Sequence, residues 1–364
     1  MAGAVRISAA ALERAVARLF EAAGLAPEDA ALVAEDLVAA DVEGIASHGV
    51  MLVPMYLERI AKGSVSRGSA GKVVSDHQAA IVIDAGDVLG QLSARQAVEL
   101  AAARAAELGV AVVAVRNAFH FGTAGRYARM LAARGCIGIV MANTRPLMPP
   151  TGGAEAVTGN NPVAIAAPSS GAFPPGLDMA LSAAAMGKIR NAAAAGQAIP
   201  QGWATDRDGA DTTDPEAAIA GMLLPAAGPK GFGLAFMIDL LCGGLSGGGI
   251  GGEVRPLFGP LDQPYGSANL FIAIHTGHFG GAEDFAARAQ AAAEAVAAVR
   301  PAAGTARVFA PGERVHDARA RAGGQARLSA PTVAALTKAA DGRGVDFAAL
   351  LGAQGWSCPA ATTI

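Results

Sequence analysis

The stretch "GVAVVAVRNAFHFGTAGRYARMLAARGCIGIVMAN" (residues 109–143) decides the fold class. Its β-branched runs at 109–116 and 136–143 predict two buried strands, and the Ala-rich segment at 124–134 between them predicts a helix. A third strand is predicted at 79–85 ("AAIVIDA"), followed by another helical stretch. This alternation indicates an α/β fold in which helices cover a mixed sheet.

The segments on either side of this region extend the prediction. Further strands are predicted at 163–167 and 269–275. Apolar residues at helical spacing predict helices at 8–23, 27–42 and 51–62. The last part of the chain returns to helical sequence interrupted by Pro and Gly. We therefore expect a helical domain, built from both ends of the chain, beside the α/β region.

The composition is that of a globular protein with a large core. Of its 364 residues 52% are apolar and 16% charged, and the formal net charge is −3. Because Lys and Arg are scattered, nucleic acid is not expected as a partner. Three widely separated cysteines, Cys136, Cys242 and Cys358, indicate neither a disulfide framework nor a metal site. With no signal peptide and no apolar run suited to a membrane span, we expect a cytoplasmic protein without membrane partners.

One glycine-rich motif is a false match. Residues 247–252 ("GGGIGG") satisfy the GxGxxG pattern, but they follow a helical run instead of a strand. A Rossmann fingerprint needs a strand before the glycines and an acidic residue later in the same βαβ unit. We therefore expect no Rossmann dinucleotide site at this segment.

Two of the six histidines lie in polar, glycine-containing loops. His48 follows Ser47 in "ASHGV", and His120 lies in "NAFHFGTAG". Loops on a rigid scaffold can aim a side chain at a substrate, and histidine exchanges protons near neutral pH. Each histidine is therefore a candidate acid/base residue. A structural histidine held by hydrogen bonds is the alternative interpretation of both.

Three segments offer groups that suit an anionic ligand. The loop at 151–168 ("TGGAEAVTGNNPVAIAAP") can approach a phosphate or ribose closely, or it is an ordinary connection between strands. Asp178 lies near a predicted helix start, where it either marks an anion site or caps the helix. Lys230 begins an apolar helix, where the helix dipole disfavours a cation. That lysine therefore suggests an anionic partner, unless it is simply solvated.

Six segments, taken in order, resemble the malate/L-lactate dehydrogenase family of NAD(P)-dependent oxidoreductases, which is unrelated to the ordinary lactate and malate dehydrogenases. They are "SHG" to Tyr56 (47–56), "HFGTAGRYA" (120–128), "GGAEAVTGNNPVA" (152–164), "DMALS" to "GK" (178–188), "IPQGWATDRDGADTTDP" (199–215) and "LLPAAGPKGFGL" (223–234). Members bind the dinucleotide without a Rossmann fingerprint and form homodimers. The resemblance implies a small-molecule substrate, NAD or NADP as cofactor, and hydride transfer.

The resemblance also implies domains and residue roles. Residues 1–75 and 300–364 are expected to form a helical domain for dimerisation and substrate contact, and 76–299 the NAD(P)-binding and catalytic α/β region. By position, His120 matches the acid/base residue of the family, and the Ser47–His48 pair assists proton transfer in the substrate pocket. The residues expected at the dinucleotide are Thr144, Asn161, Pro162, Asp178, Met179, Ala180, Lys230, Gly312 and Glu313.

One position departs from part of the family and bears on the substrate. Ureidoglycolate-type members carry an arginine three residues after the glycine of Ser-His-Gly, whereas this chain has Leu52. Without that bidentate anchor, we expect a substrate with one carboxylate and an apolar tail, for which Arg145 is a candidate substitute anchor.

The resemblance therefore predicts interconversion of a 2-oxo acid and a 2-hydroxy acid of the malate, lactate or sulfolactate type. The alternative is reduction of a cyclic imine, Δ1-piperideine-2-carboxylate or Δ1-pyrroline-2-carboxylate. Ureidoglycolate oxidation and a catalytically inactive homologue follow behind these two.

Overall fold

The computed structural model describes residues 4–352, so Cys358 and the ends of the predicted 1–75 and 300–364 segments lie outside the described residues. The strands are β1 (Val5–Ser8), β2 (Lys72–His77), β3 (Ala80–Asp84), β4 (Val110–Ala118), β5 (Cys136–Ala142), β6 (Val163–Ala166), β7 (Gly176–Met179), β8 (Ala204–Thr205), β9 (Met222–Leu223), β10 (Ser267–His275) and β11 (Gln325–Leu328). The helices are α1 (Ala9–Ala22), α2 (Pro27–Val42), α3 (Val53–Lys62), α4 (Gly90–Leu108), α5 (Ala124–Ala132), α6 (Met186–Ala194), α7 (Pro215–Ala220), α8 (Pro229–Asp239), α9 (Ala282–Ala297), α10 (Glu313–Ala322), α11 (Ala330–Asp341) and α12 (Phe347–Leu351).

A seven-stranded sheet in the order β2-β3-β4-β10-β5-β6-β7 forms the centre of the molecule. β3 and β4 are parallel, and every other neighbouring pair is antiparallel. The predicted α/β fold with a mixed sheet is therefore confirmed. β10 lies between β4 and β5 although it comes late in the chain, so the sheet is completed only when the chain returns to it.

The three central strands are buried on both faces, because helices and loops cover each side of the sheet. On β10, Phe271 belongs to the core shared with α1 to α5, whereas Leu270 belongs to a second core beside α8. Both side chains are fully buried. Burial on two sides explains why these strands read in the sequence as continuous apolar runs instead of alternating ones.

The two ends of the chain pack together on the first of these cores. β1 pairs antiparallel with β11, α1 contacts α12, and α3 contacts α11. The N- and C-terminal segments therefore pack against each other as expected, and their division into a separate helical domain stays a prediction. β2 crosses the predicted boundary between residues 75 and 76, and the functions assigned to the two domains stay predictions.

The "GGGIGG" segment follows a helix, as the sequence predicted. α8 ends at Asp239 and continues into a π-helical turn, Leu240–Gly244, ahead of the glycines. The Gly248 N–H donates to the Gly243 carbonyl at 2.9 Å, so the segment closes a helix end. No strand precedes these glycines in this part of the described chain, and a Rossmann turn is therefore not formed there.

Among residues 4–352, no helix is long and apolar enough to cross a membrane. Cys136 and Cys242 are buried and free. The cytoplasmic location, the absence of a metal and the absence of nucleic-acid partners stay predictions.

A buried arginine fixes the long loop between α8 and β10. Arg59 of α3 is fully buried, and its guanidinium donates to the backbone carbonyls of Leu257 (2.9 Å) and Gln263 (2.8 Å). The same guanidinium lies 5.7 Å from the centroid of the Phe119 ring. The loop carries Tyr265, whose ring packs edge-on against Phe119 with 5.9 Å between centroids. α3 thus holds this loop against the residues that follow β4.

Candidate active site

His120 lies in the short loop between β4 and α5, clamped by two other helices. The Tyr56 hydroxyl of α3 is 2.6 Å from His120 Nδ1 and 3.2 Å from the His120 carbonyl oxygen. Tyr56 is fully buried, whereas His120 is partly exposed. The start of α4 approaches so closely that a Cβ on Gly90 would collide with the carbonyls of Phe119 and His120. The histidine is therefore held at its backbone and at one ring nitrogen.

The predicted pair Ser47 and His48 lies beside His120. Both residues belong to a 3₁₀ turn between α2 and α3. Ser47 Oγ is 3.0 Å from His48 Nδ1. The rings of His48 and His120 stack with their centroids 5.4 Å apart and their planes at 28°. The fold therefore brings together the two histidines that the sequence singled out.

A buried carboxylate sets the position of the Ser-His-Gly turn. Asp41, at the end of α2, accepts a hydrogen bond from the Val50 backbone N–H at 2.7 Å. The carboxylate packs so tightly on Gly49 that a Cβ at residue 49 would collide with it. Burial raises the pKa of Asp41 to about 7, and the hydrogen bond from Val50 opposes that increase only in part. The triplet thus needs glycine at its third position for a steric reason.

The electrostatic environment keeps the ring of His120 neutral at physiological pH. Burial, together with the neighbouring His48 ring, lowers the pKa of His120 to about 3. Burial also lowers the pKa of His48. A neutral imidazole accepts a proton at one nitrogen while the other donates a hydrogen bond. An anion beside such a ring favours the protonated form.

β10 joins the His120 loop to the loop after β5. β4 and β5 run in the same direction because each pairs antiparallel with β10, so their carboxyl ends lie at one edge of the sheet. At this edge Ser267 Oγ donates to the Ala118 carbonyl at 3.1 Å. The Ala268 N–H donates to Asn143 Oδ1 at 2.7 Å. The first residues of β10 therefore fix both loops at once.

Asn161, predicted at the dinucleotide, is fully buried and its amide is used within the protein. Its Nδ2 donates to the Ala235 carbonyl at 2.9 Å and to Thr158 Oγ1 at 3.1 Å. Its Oδ1 accepts from the Thr144 N–H at 2.9 Å. Thr158 donates in turn to the buried carboxylate of Asp239 at 2.8 Å. Asn161 thus positions Thr144, which stays partly exposed. Both the nitrogen and the oxygen of the Asn161 side-chain amide are used in hydrogen bonds within the protein.

Pro162 and Ala180 lie at the same end of the β6–β7 pair, because these strands pair antiparallel. Pro162 is partly exposed, and both Met179 and Ala180 are exposed. The Leu181 carbonyl accepts from the Ala226 N–H at 2.8 Å. That hydrogen bond connects this end of the strand pair to the segment before α8.

Asp178 ties the same strand pair to the His120 loop. Its carboxylate accepts the Gly125 backbone N–H at 2.9 Å, and Gly125 lies in the first turn of α5. A Cβ on Gly125 would lie 2.6 Å from that carboxylate, so glycine there allows the approach. Unpaired N–H groups at a helix start favour an anion. Asp178 therefore caps α5 instead of the helix that follows it in the sequence.

Lys230 is exposed in the first turn of α8, and the preceding residue, Pro229, lines a cavity of about 430 Å³. Glycine-rich backbone lines the cavity, with Gly152 and Gly153 on one side and Gly228 at the start of α8. The volume is in the range of small-ligand sites, and a lysine at a helix N-terminus suits an anion. Part of the 151–168 loop therefore forms one wall of this cavity. The residues that line the cavity are different from those around His120.

Gly312 and Glu313 lie at the opposite end of β7 from Met179. A Cβ on Gly312 would lie 3.0 Å from the Gly176 nitrogen, where β7 begins. The Glu313 carboxylate pairs with Arg307. The structure thus brings this pair of residues to β7, but to the end away from Pro162.

The two predicted substrate contacts lie in different environments. Leu52 is 2% exposed and packs in the core, so its side chain does not line an open surface of the described chain. Arg145 is exposed. Burial raises the pKa of Tyr265 to about 12, and the positive charges of Arg145 and Arg59 oppose the increase. Arg145 therefore lies near the ring that packs on Phe119, next to His120 in the chain.

Three residues of the site carry little signal in the sequence: Tyr56, Gln91 and Asp41. Tyr56 falls on an apolar helix position, and Gln91 lies in the first turn of α4. Gln91 is fully buried and its Nε2 lies 3.5 Å from the Tyr56 hydroxyl. Burial raises the pKa of Tyr56 above its ordinary value, so the hydroxyl keeps its proton. The one available signal is that Tyr56 closes the segment that begins with Ser47.

Comparison with known proteins identifies relatives over most of the chain. The model of the family described as malate/L-lactate dehydrogenase matches residues 7–337. The L-sulfolactate dehydrogenase of Methanocaldococcus jannaschii is 39% identical over 290 residues, which are 80% of this chain and 83% of that protein. The ureidoglycolate dehydrogenase (NAD(+)) of Escherichia coli O157:H7 is 38% identical over 309 residues, 85% and 88% of the two chains. The (2R)-3-sulfolactate dehydrogenase (NADP(+)) of Chromohalobacter salexigens is 38% identical over 272 residues, 73% and 79%.

Solved structures give the same result. The sulfolactate dehydrogenase from Methanocaldococcus jannaschii superimposes with a TM-score of 0.90 at 33% identity, covering 95% of this chain and 99% of that one. The Δ1-piperideine-2-carboxylate reductase from Pseudomonas syringae pvar. tomato superimposes with a TM-score of 0.82 at 30% identity, covering 92% and 99%.

The raised pKa of Asp41 predicts a pH-dependent effect of Asp41→Asn. A carboxyl whose pKa is higher in the folded than in the unfolded state destabilises the protein above the folded pKa and loses that effect as the pH falls to the unfolded pKa. Asn keeps an acceptor for the Val50 N–H and carries no charge. We expect D41N to be more stable than the wild type at pH 8, by roughly 4 kcal/mol at most, and equally stable near pH 4. Urea denaturation at both pH values measures the free energy of unfolding of the two proteins. The same difference between D41N and wild type at pH 4 and pH 8 would contradict the prediction.

Proposed function

The chain belongs to the malate/L-lactate dehydrogenase family, and we propose that it interconverts a 2-oxo acid and a 2-hydroxy acid of the malate, lactate or sulfolactate type with NAD(H) or NADP(H). The observation that carries the proposal is a neutral, partly exposed His120 whose Nδ1 is held by the buried Tyr56 hydroxyl. Such a ring exchanges a proton with a substrate oxygen at its other nitrogen. Relatives with dehydrogenase names support the reaction class.

His120 is the proposed acid/base residue. In oxidation, the hydroxyl proton of the 2-hydroxy acid moves to the imidazole. The electron pair of the broken O–H bond forms the carbonyl, while hydride leaves the carbon that carried the hydroxyl for the dinucleotide. In reduction, the protonated ring returns that proton to the substrate oxygen. A substrate carboxylate nearby favours the protonated ring, which opposes the effect of burial on the pKa of His120. We propose that Ser47 and His48 orient the substrate oxygen and assist this proton transfer, since the His48 ring stacks on that of His120.

The groups near α8 fit a dinucleotide. A bound dinucleotide supplies the hydride acceptor in oxidation and the hydride donor in reduction. Exposed Lys230, the first turn of α8 and the glycine-lined cavity suit a phosphate. We propose that Thr144, Pro162, Met179 and Ala180 form the adjoining wall, and that Asn161 and Asp178 support it by holding Thr144 and α5. Gly312 and Glu313 would bound the site at the other end of β7. The relatives' names include both NAD(+) and NADP(+).

We propose Arg145 as the residue that holds the substrate carboxylate. It is exposed, and its charge acts on Tyr265, whose ring lies 5.9 Å from that of Phe119. A guanidinium binds a carboxylate through two parallel hydrogen bonds. Leu52 affects substrate choice only indirectly. It is buried and uncharged, so it provides no second cation where ureidoglycolate-type members have arginine.

Reduction of a cyclic imine is the second candidate function. It is favoured by the likeness to Δ1-piperideine-2-carboxylate reductase. Both reactions deliver hydride to an sp² carbon beside a carboxylate. They differ in whether oxygen or nitrogen needs the proton, and an already protonated imine needs no general acid.

We also propose that the protein is a homodimer that covers the apolar face of α8. Leu234, Phe236 and Met237 are each close to half exposed, although α8 carries Ile238 in the core. Leu245, beyond the following turn, is 57% exposed. Several large apolar side chains exposed along one helix and the turn after it are typical of an association surface. A second copy would cover it by pairing this face with itself.

Replacing His120 with alanine separates the two candidate reactions. H120A removes the proton donor that a carbonyl substrate needs, so kcat/KM for the best 2-oxo acid should fall by about 10²- to 10⁴-fold. The loss for the two cyclic imines should be smaller. The control is H77A, which removes an exposed histidine on β2. NADH or NADPH consumption with a panel of 2-oxo acids and imines measures this. Equal losses on both substrate classes would remove the distinction, and no turnover by the wild type would favour the inactive homologue.

The carboxylate role of Arg145 predicts a selective effect on substrate binding. R145A should raise KM for the best 2-oxo acid by about 10- to 100-fold, since a charge-assisted bidentate contact is lost, and should leave the KM of the dinucleotide within a factor of two. The matched control is R255A, which removes another arginine whose side chain makes one hydrogen bond to a backbone carbonyl. An unchanged KM for the oxo acid in R145A would show that another group holds the carboxylate.

The dimer proposal predicts dissociation when charge is placed on the α8 face. F236E should convert a dimer into a monomer in light scattering coupled to size-exclusion chromatography, because a buried unpaired carboxylate opposes association. L108E, at an exposed apolar position at the end of α4, should remain dimeric. A wild-type monomer would refute the proposal, and a dimeric F236E would show that the interface lies elsewhere.

A further inference from the structure

The Tyr56 hydroxyl meets three groups in the interior behind His120. They are His120 Nδ1 at 2.6 Å, the His120 carbonyl oxygen at 3.2 Å and Gln91 Nε2 at 3.5 Å. Tyr56 and Gln91 are both fully buried. A phenol has one proton to donate and lone pairs to accept with. The three contacts therefore restrict which group donates in each of them.

Two of the three directions are set by chemistry. The His120 carbonyl only accepts, so it takes the Tyr56 proton, and the Gln91 amide nitrogen only donates. When that proton is used on the carbonyl, the hydroxyl can only accept from Nδ1, which must then carry the ring proton. With the opposite tautomer, Tyr56 would have to donate to Nδ1, and the His120 carbonyl would lose its partner.

The orientation of the Gln91 amide does not alter the result. If that amide is rotated by half a turn, its oxygen becomes a further acceptor for the single Tyr56 proton. The Nδ1–H tautomer still makes two hydrogen bonds at the hydroxyl, and the other tautomer only one. An unmade hydrogen bond in a buried site is unfavourable.

We propose that Tyr56, supported by Gln91, is the positioning residue that fixes neutral His120 as the Nδ1–H tautomer and leaves Nε2 as its proton-exchanging atom. The inference deepens the proposed function, on which the catalytic meaning of Nε2 rests. When Nε2 takes the hydroxyl proton of the substrate, the O–H bond breaks and a new N–H bond forms at Nε2. The electron pair of the broken O–H bond stays on the substrate oxygen. The Nδ1–H to Tyr56 hydrogen bond is already present, so the ring becomes protonated without any rearrangement behind it.

The tautomer itself is measurable without turnover. Nitrogen-15 NMR of histidine-labelled wild-type protein near pH 7, with the His120 signals assigned through H120A, reports which ring nitrogen carries the proton. We expect His120 with the proton on Nδ1. A wild-type His120 protonated on Nε2 would overturn the inference, whatever the activity of the enzyme.

Tyr56→Phe tests the cause. In Y56F the Nδ1–H tautomer should lose its preference, and kcat should fall about tenfold, the factor that one buried hydrogen bond is typically worth, with KM within a factor of two. The control is Y127F, which removes an equally buried hydroxyl that donates to the Phe121 carbonyl at 2.6 Å and does not contact His120. Y127F should keep the wild-type tautomer.

The combined outcomes separate this inference from the proposed function. A lower kcat in Y56F with the wild-type tautomer unchanged would mean that Tyr56 only stabilises the loop, which overturns the inference. A wild type that carries the proton on Nδ1 and loses it in Y56F, yet turns over no oxo acid or imine, would support the inference and refute the proposed function instead.

Discussion

The placement of β10 between β4 and β5 is the constraint on which the rest of the structure depends. Because β10 runs antiparallel to both neighbours, β4 and β5 are aligned with each other and release their following loops at one edge of the sheet. The first residues of β10 then bond to the end of β4 through Ser267 and to the loop after β5 through Asn143. The histidine loop and the loop toward the proposed dinucleotide wall are therefore fixed by one strand.

Around this edge, polar side chains act mainly by holding other groups. Asp41 fixes the turn that carries His48, and Asp178 caps the helix that follows His120. Asn161 is hydrogen-bonded on every side and supports Thr144. A buried polar group is unfavourable unless it is paired, so networks of this kind have few alternative arrangements. Such rigidity suits a reaction in which a proton and a hydride must leave a substrate at defined positions.

Much of the fold and part of the site follow from sequence pattern. Short runs rich in β-branched residues predicted β3, β4 and β5 within about two residues. Loop composition singled out His48 and His120, which the structure stacks against each other. Other residues were beyond the reach of pattern. Tyr56 reads as one more apolar helix position, and only its hydroxyl, directed at His120, distinguishes it from a core residue. Leu52 marks a difference from relatives, yet it packs in the core, so its effect on the substrate is indirect.

The sequence by itself determined the five strands β3, β4, β5, β6 and β10, the main helices, the absence of a Rossmann turn at the glycine cluster, and the family to which the chain is similar, whereas the shorter strands and β2 carried no clear pattern. These properties depend on local periodicity and on the order of short motifs, and both can be recognised in the amino-acid sequence alone. Only the tertiary structure decided that β10 completes the centre of the sheet, that Asp178 caps α5 instead of its own helix, and that Tyr56 meets His120. Each of these is a contact between residues distant in the chain, and such contacts form only when the tertiary structure brings the hydrogen-bonding groups together.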